Sequence, residues 1–168
     1  HMKQPKVSVI IPAWNGERYL KEAIESILGQ DFADFELIIV NDGSTDRTPE
    51  IAAEFLRDLR VKVLTQQNGG VVSARNAGLR ASRAEFVAFL DADDIAKPDR
   101  LSKQVTYLTK HPDVAAVGSF ITHFNEHGRA FRVEKFPIGL EQVTSGLEKR
   151  NTLAQPAVML RREMALAV

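Results

Sequence analysis

Residues 85–94 read EFVAFLDADD, an apolar segment that runs directly into an aspartate-rich end. Valine and phenylalanine favour strands, and a strand that is apolar on both faces is typical of a sheet covered by helices on each side. Two earlier segments have the same character: residues 7–11 (VSVII), which stop at Pro12, and residues 35–40 (FELIIV). The three segments predict buried, parallel strands.

Amphipathic segments with apolar residues at helical spacing separate these strands. Helices are predicted over residues 16–29, over a segment with Thr48 as N-cap and Pro49 at its first position, over residues 71–81, and from Pro98 to about His111. Further strands are predicted at 61–65, 114–124, 132–136 and 157–160, with a short helix at 140–149. This alternation predicts an α/β fold: a three-layer αβα, Rossmann-like arrangement around a mostly parallel central sheet.

Polar residues follow three of the predicted strands, at 12–17, 41–46 and 91–94. In open parallel sheets, ligands bind beyond the carboxyl ends of the strands, at the point where the strand order switches. We therefore expect the three polar segments to converge on one crevice and to form the functional site.

The acidic segment is the sharpest chemical signal. Alternate strand residues point the same way, so Asp91 and Asp93 are expected to face one site while Ala92 faces away. Two such charges about 4 Å apart repel by about 4 kcal/mol at an effective dielectric of about 20. A bound cation would relieve that repulsion, and carboxylates without His or Cys suit Mg²⁺ or Mn²⁺. The alternative is a solvated turn in which Asp94 caps the next helix.

The other polar segments allow two interpretations each. Asp42 precedes Gly43 and either accepts a hydrogen bond from a base or sugar, or belongs to an ordinary turn. The segment Asn68-Gly69-Gly70 either opens room for a nucleotide before a helix or is a plain turn. Arg75 reaches a phosphate from that helix or is solvated, and Trp14 stacks on a base or covers the sheet end.

Composition excludes several classes of protein. The 168 residues contain no cysteine, which excludes disulfides, iron–sulfur clusters and a thiol nucleophile. The 22 basic and 22 acidic residues cancel, whereas a dedicated DNA-binding protein normally carries a basic excess. No apolar run approaches the ~20 residues that span a bilayer, so the cytoplasm is the expected compartment. His1-Met2 is interpreted as a cloning scar.

Familiar ligand-binding motifs are missing from the sequence. A dinucleotide GxGxxG after the first strand, a GxxxxGK[ST] phosphate loop and an EF-hand are all absent. His123 and His127 are spaced as helical metal ligands, but their segment is predicted to be strand and turn. The acidic segment therefore remains the leading candidate for a metal site.

Three segments in the same order closely resemble family 2 glycosyltransferases of the GT-A fold: residues 7–51 (VSVIIPAWNG…DRTPEI), NGGVVSARNAGL at 68–79, and AEFVAFLDADDIAKPDRL at 84–101. A weaker similarity continues to QPAVMLR at 155–161. The resemblance implies binding of a nucleotide-sugar donor, commonly a uridine diphosphate (UDP) sugar, and inverting, metal-dependent transfer of the sugar to an acceptor hydroxyl.

The family pattern also implies roles for individual residues. Asp93 would be the direct metal ligand of the DxD motif, Asp91 would face the ribose or donor sugar beside the metal, and Asp42 would bind the base. The usual Asp before the DGS turn is Asn41 here. The residues implied to line the nucleoside pocket are Pro12, Ala13, Trp14, Asn15, Glu17, Asn68, Gly70 and Arg75.

The resemblance does not supply a catalytic base. In this family the base is an acidic residue roughly a hundred positions beyond the DxD motif, so we expect it beyond Val168 and identify no catalytic residue here. Residues 3–168 are thus expected to be the donor-binding portion of a GT-A domain, truncated on its C-terminal, acceptor-binding side. Such a chain is expected to bind a nucleotide sugar and a metal ion but to transfer sugar poorly.

Other functions compete with this interpretation. The same ancestry without turnover would give a non-catalytic nucleotide-sugar-binding or assembly module. A nucleotidyltransferase needs a glycine-rich, basic phosphate loop that residues 12–16 do not supply, and a phospho-receiver domain leaves the NGG segment unexplained. The expected partners are the donor and a carbohydrate or lipid-linked acceptor, without nucleic acid. A homodimer through an uncovered sheet edge and peripheral association with the inner face of a membrane are further expectations.

Overall fold

The computed structural model describes residues 4–147 and 152–167. The proposed cloning scar at residues 1–2 and the end of the helix predicted at 140–149 lie outside the described residues. The strands are β1 (Val7–Ala13), β2 (Phe35–Asp42), β3 (Val61–Gln66), β4 (Phe86–Phe89), β5 (Ala116–Val117), β6 (Ile121–Phe124), β7 (Ala130–Glu134) and β8 (Met159–Arg161). The helices are α1 (Leu20–Leu28), α2 (Thr48–Glu54), α3 (Gly70–Ala81), α4 (Arg100–Lys110), α5 (Leu140–Leu147) and α6 (Arg162–Leu166).

The main sheet has the strand order β3-β2-β1-β4-β8-β5. Strands β1 to β4 are mutually parallel, and β8 runs antiparallel to both of its neighbours. The order reverses between β1 and β4, so the crevice for a ligand is expected above those two strands. A mostly parallel α/β sheet is confirmed.

Alternate residues of the central strands pack against different helical layers. Val9 and Ile11 of β1 lie in one apolar cluster with the buried faces of α1 and α4, whereas Ile10 faces the opposite side and packs with Ala74 of α3. All of these side chains are fully buried. Burial on both faces explains why the strands lack polar alternation, and it confirms the three-layer arrangement.

Helix α3 approaches the sheet very closely at Gly78. A Cβ atom at that position would lie 2.5 Å from Cγ2 of Ile10, which is inside van der Waals contact. The glycine therefore sets the distance between α3 and β1, and with it the position of the residues that α3 contributes to the crevice.

Strand β1 continues through Pro12, where the sequence predicted its end. The carbonyl of Ile10 accepts a hydrogen bond from the N–H of Leu90. The backbone groups of Ile10, and of Pro12 two residues further along, therefore face the β4 side of β1. The last pair between β1 and β4 joins Ile10 and Phe89. Pro12 thus lies beyond β4, where its missing N–H interrupts no ladder bond.

Two other predictions of local structure are wrong. Thr48 is the first residue of α2 rather than its N-cap, and its hydroxyl instead accepts a hydrogen bond from the N–H of Gly16 at 2.8 Å. The single strand predicted at 114–124 is two short strands: β5 belongs to the main sheet, and β6 pairs with β7 in a separate hairpin.

Candidate functional site

The loops after β1 and β2 are joined by hydrogen bonds between side chains and backbone. The N–H of Asn15 donates to Oγ of Ser44 at 3.1 Å, and the Asn15 Oδ1 accepts from the N–H of Thr45 at 2.9 Å. Glu17 accepts from the N–H of Arg47 at 3.1 Å. Asn15 has a positive φ of 49°, a conformation that Asn tolerates better than most residues. The two loops are therefore held together at the carboxyl ends of β1 and β2.

Asp42 connects the end of β2 to the start of α3. Its Oδ1 accepts hydrogen bonds from Nε2 of Gln66 at 2.7 Å and from the N–H of Gly69 at 2.9 Å, and its Oδ2 accepts from the N–H of Gly70 at 2.8 Å. Nδ2 of Asn68 donates to the Asp42 carbonyl at 3.0 Å. Only 2% of Asp42 is exposed. The carboxylate thus fixes the NGG segment and satisfies N–H groups at the start of α3.

Arg75 connects α3 to the acidic segment after β4. Its Nη2 lies 2.6 Å from Oδ1 of Asp91, and 12% of the Arg75 side chain is exposed. Nε of Arg75 is buried and has no hydrogen-bond partner. A buried, unsatisfied donor costs about 1–3 kcal/mol, and this cost accompanies the placement of the guanidinium beside Asp91.

The acidic residues lie on a turn instead of continuing the strand. Strand β4 ends at Phe89, and the N–H of Asp94 donates to the carbonyl of Asp91 at 3.1 Å. The prediction that Asp91 and Asp93 alternate along a strand is therefore wrong. Asp94 does not cap a helix either, because α4 begins at Arg100. Asp91 is half-buried against Arg75, while Asp93 is exposed.

The carboxylates nevertheless act on one another. Burial, followed by repulsion from Asp93 and Asp91, raises the pKa of Asp94 to about 6. Arg100 partly offsets this effect; its Nη2 donates to the carbonyl of Phe89 at 2.8 Å and so anchors the end of β4. Burial lowers the pKa of Arg100 to about 10.

The turn could hold a hard divalent cation only through two carboxylates, those of Asp91 and Asp93, with the rest of the shell supplied by other molecules. Within residues 4–147 and 152–167, no group of three or more His, Asp or Glu side chains is arranged to hold a metal ion. Mg²⁺ and related ions are often held by one or two carboxylates, with water and substrate phosphates completing the shell. Asp91 and Asp93 supply that donor set, and a cation would relieve the repulsion on Asp94.

A closed ring of contacts brings most of the predicted residues together. Asn15 and Glu17 contact the loop after β2, Asp42 holds the start of α3, and Arg75 contacts Asp91. A Cβ on Gly16 would lie 3.5 Å from that of Ala92, which closes the ring between β1 and β4.

The remaining predicted residues differ in how accessible they are. Pro12 and Ala13 are buried inside β1, so their side chains are largely enclosed by protein. Trp14 follows them and is 60% exposed, which leaves its ring free for a ligand. His123 and His127 do not lie on a helix; His123 lies in β6, with Nε2 3.0 Å from Oε2 of Glu134.

Sequence reasoning missed several residues that build this site. Gln66, Ser44 and Thr48 all bind loop groups through their side chains. Ser44 and Thr48 lie within the segment 7–51 that carries the resemblance, whereas Gln66 lies outside the quoted motifs. The position of Gln66 at the carboxyl end of a strand was the one available signal.

No helix within the described part of the chain combines the length and apolar character needed to cross a membrane.

The sequence is similar to known proteins over most of its length. Residues 8–166 match the sequence model of Glycosyl transferase family 2. An uncharacterized glycosyltransferase of Haemophilus influenzae is 42% identical over 119 residues, which cover 70% of this chain and 37% of that protein.

Solved structures share the fold. The crystal structure of S. aureus TarS 1-349 superposes with a TM-score of 0.73 at 27% identity, covering 96% of this chain and 48% of that one. Its complex with UDP-GlcNAc matches 64% of this chain and 32% of that one, at 36% identity and a TM-score of 0.61. Mannosyltransferase PcManGT from Pyrobaculum calidifontis, solved with GDP-Man and Mn²⁺, shares the fold at 23% identity and a TM-score of 0.71, covering 99% of this chain and 47% of that one. The chain spans less than half the length of the protein in each of these three structures.

Proposed function

Because the chain belongs to glycosyl transferase family 2, we propose that it binds a nucleoside-diphosphate sugar, with UDP as the nucleotide, in the crevice above β1 and β4. In this proposal, residues 3–168 are the GT-A donor-binding domain. The protein to which they belong transfers the donor sugar to an acceptor hydroxyl with inversion. The complex of TarS with UDP-GlcNAc, a relative of the same fold, supports this choice of donor.

The observation that carries the proposal is the guanidinium of Arg75. Its Nη2 is bound to Asp91 while its buried Nε has no partner. Part of the Arg75 side chain, 12%, is exposed, and a guanidinium recognises phosphate well because its donors form a rigid fork. A diphosphate beside Arg75 and the acidic turn is therefore the ligand that this arrangement fits.

Asp93 and Asp91 would hold Mn²⁺ or Mg²⁺ in this proposal. When bound, the cation acts as a Lewis acid that stabilises the negative charge growing on the leaving diphosphate. Asp93 is exposed and free to bind, whereas Asp91 is oriented by Arg75. The presence of Mn²⁺ in the structure of PcManGT supports a divalent ion for this fold.

The nucleoside would lie along the wall formed by the first two loops and the NGG segment. Asp42 accepts from the base, and Trp14 offers an exposed aromatic face for stacking. The other residues proposed to line this pocket are Pro12, Ala13, Asn15, Glu17, Asn68 and Gly70.

We propose that the acceptor is a carbohydrate or a lipid-linked sugar, that the general base lies beyond Val168, and that the chain alone binds the donor but transfers poorly. A cytoplasmic location beside the inner face of a membrane and a homodimer complete the proposal. Size-exclusion chromatography over a range of concentrations tests the dimer.

A thermal-shift screen of nucleoside-diphosphate sugars with Mn²⁺ tests the donor. A ligand at 100 times its dissociation constant adds about 2.7 kcal/mol of stability, which at this chain length corresponds to roughly 5–11 °C in Tm. We expect UDP-sugars to give such a shift. If no nucleotide sugar shifts Tm, the proposal that the chain binds such a donor is wrong. Multiple turnover with a panel of acceptors would instead overturn only the proposal that the chain alone transfers sugar poorly.

A further inference from the structure

We propose that Arg75 competes with the divalent cation for the carboxylate of Asp91, so that the cation binds weakly until a nucleoside diphosphate binds with it. The inference rests on the proposed function, because it takes Asp91 and Asp93 as the metal ligands. The family resemblance places Arg75 along the nucleoside pocket and gives it no role toward the cation.

Arg75 occupies one oxygen of Asp91. Its Nη2 lies 2.6 Å from Oδ1 of Asp91, and a bond between two charged groups is among the stronger hydrogen bonds in proteins. Only 12% of the Arg75 side chain and 32% of the Asp91 side chain are exposed, so solvent and salt screen this attraction less than they would at the surface. A cation that binds Asp91 must therefore share the carboxylate with a guanidinium or displace it.

The other metal ligand, Asp93, is exposed. Mg²⁺ and related ions are usually bound by one or two carboxylates together with substrate phosphates. While Arg75 holds Asp91, the turn offers the cation one carboxylate without a guanidinium beside it. Such a site is weak unless phosphate oxygens complete the shell of the ion.

A second buried guanidinium lies behind the same turn. Nη2 of Arg100 donates to the carbonyl of Phe89 at 2.8 Å, and only 8% of Arg100 is exposed. Phe89 is two residues before Asp91, and consecutive Cα atoms are about 3.8 Å apart, so this positive charge is close to the turn. The guanidiniums of Arg75 and Arg100 thus offset much of the negative charge that would attract a divalent ion.

A bound diphosphate changes this balance. Its oxygens bind the cation directly, and their negative charge offsets the positive charge of Arg75. The cation and UDP should therefore bind cooperatively. By linkage, the factor by which UDP tightens the binding of Mn²⁺ equals the factor by which Mn²⁺ tightens the binding of UDP.

The predicted effect of removing Arg75 has a sign that a supporting role would not give. Without UDP, Arg75→Met should bind Mn²⁺ about tenfold more tightly than the unaltered chain, because a positive charge beside a ligand oxygen is removed. The factor by which UDP tightens Mn²⁺ binding should then fall. If Arg75 instead supports the metal site by orienting Asp91, the same variant should bind Mn²⁺ more weakly.

Titration of the full chain with Mn²⁺, followed by electron paramagnetic resonance of the free ion, measures both quantities when it is done with and without UDP. Arg80→Met is the matched control, because Arg80 is an exposed arginine on the same helix, α3. Its charge is screened by solvent, so its Mn²⁺ affinity should equal that of the unaltered chain. Arg75→Gln keeps a neutral donor for Asp91, should tighten Mn²⁺ binding by a smaller factor, and serves if Arg75→Met does not fold.

The outcomes separate the inference from the proposed function. If the unaltered chain binds Mn²⁺ neither alone nor with UDP, the proposed function fails first and the inference falls with it. If the unaltered chain binds Mn²⁺ with UDP, but Arg75→Met and Arg75→Gln bind Mn²⁺ alone no more tightly than it does, the inference is overturned while the proposed function stands. Tighter Mn²⁺ binding by the Arg75 variants, with Arg80→Met unchanged, supports the inference.

Discussion

Replacing Asp42 by Asn tests the hydrogen bonds that join β2 to α3. The substitution preserves size but removes the charge and one acceptor oxygen. If the amide oxygen of Asn takes the place of Oδ1, the hydrogen bonds from Gln66 and Gly69 go to a neutral acceptor. The amide nitrogen then takes the place of Oδ2, which in the native protein lies 2.8 Å from the N–H of Gly70. Two donors face each other there, and the Gly70 bond is lost. A bond to a charged group contributes about 1.5–3 kcal/mol, a neutral one about 0.5–1.5, and an unsatisfied buried donor costs about 1–3.

The expected loss of unfolding free energy is about 3 kcal/mol for Asp42→Asn. In a chain of this length, 1 kcal/mol shifts Tm by about 2–4 °C, so Tm should fall by roughly 6–12 °C in a scan followed by circular dichroism. Asp113→Asn is the matched control, because Asp113 is exposed and surface changes usually stay within about 0.5 kcal/mol. If Asp42→Asn changes stability no more than this control, the carboxylate does not hold the start of α3 as described.

Three further perturbations have defined outcomes. Gly78→Ala places a methyl group 2.5 Å from Ile10 and should cost about 1–3 kcal/mol in urea unfolding; an unchanged midpoint contradicts the close packing. Burial raises the pKa of Glu36, but the hydrogen bonds that it accepts from Lys62, Ser8 and Arg83 together outweigh burial and lower the pKa. Its stabilisation is therefore present above the unfolded pKa of about 4.3 and is lost as pH falls through the lower folded pKa. Glu36→Gln should therefore reduce the drop in Tm between pH 5 and pH 3; an equal drop contradicts that origin. Arg75→Met removes the ion pair and the buried unpaired Nε together, so stability should stay within about 1 kcal/mol while calorimetry shows at least tenfold weaker UDP binding; unchanged affinity argues against a phosphate contact.

The strands and their burial were predictable because their sequence pattern is local. The runs at 7–11 and 35–40 are apolar on both faces, and they lie within β1 and β2, whose residues are buried throughout. The predicted strand at 114–124 failed for a non-local reason. At Gly118 the chain passes so close to Leu153 that a Cβ would lie 2.9 Å from Cδ2 of Leu153, and beyond it the chain leaves the main sheet.

The residue types of the site were also predictable, but their bonding was not. Asp42 was predicted to bind a ligand, whereas the structure shows its carboxylate held by N–H groups more than 25 positions further along the chain. Asp91 and Asp93 were expected on an extended strand, and a hydrogen bond closes a turn there instead. Such contacts depend on tertiary packing, which no short sequence window contains.

In the proposed function, a nucleoside diphosphate binds through a cation that the acidic turn holds. Calorimetric titration of UDP into the chain, with Mn²⁺ and then with a chelator, tests it when it is repeated with Asp93→Asn. We expect UDP to bind with Mn²⁺ and to bind at least tenfold more weakly with the chelator, and we expect Asp93→Asn to bind equally weakly under both conditions. Affinity that is independent of Mn²⁺, or an Asp93→Asn variant that binds like the unaltered chain, would contradict it.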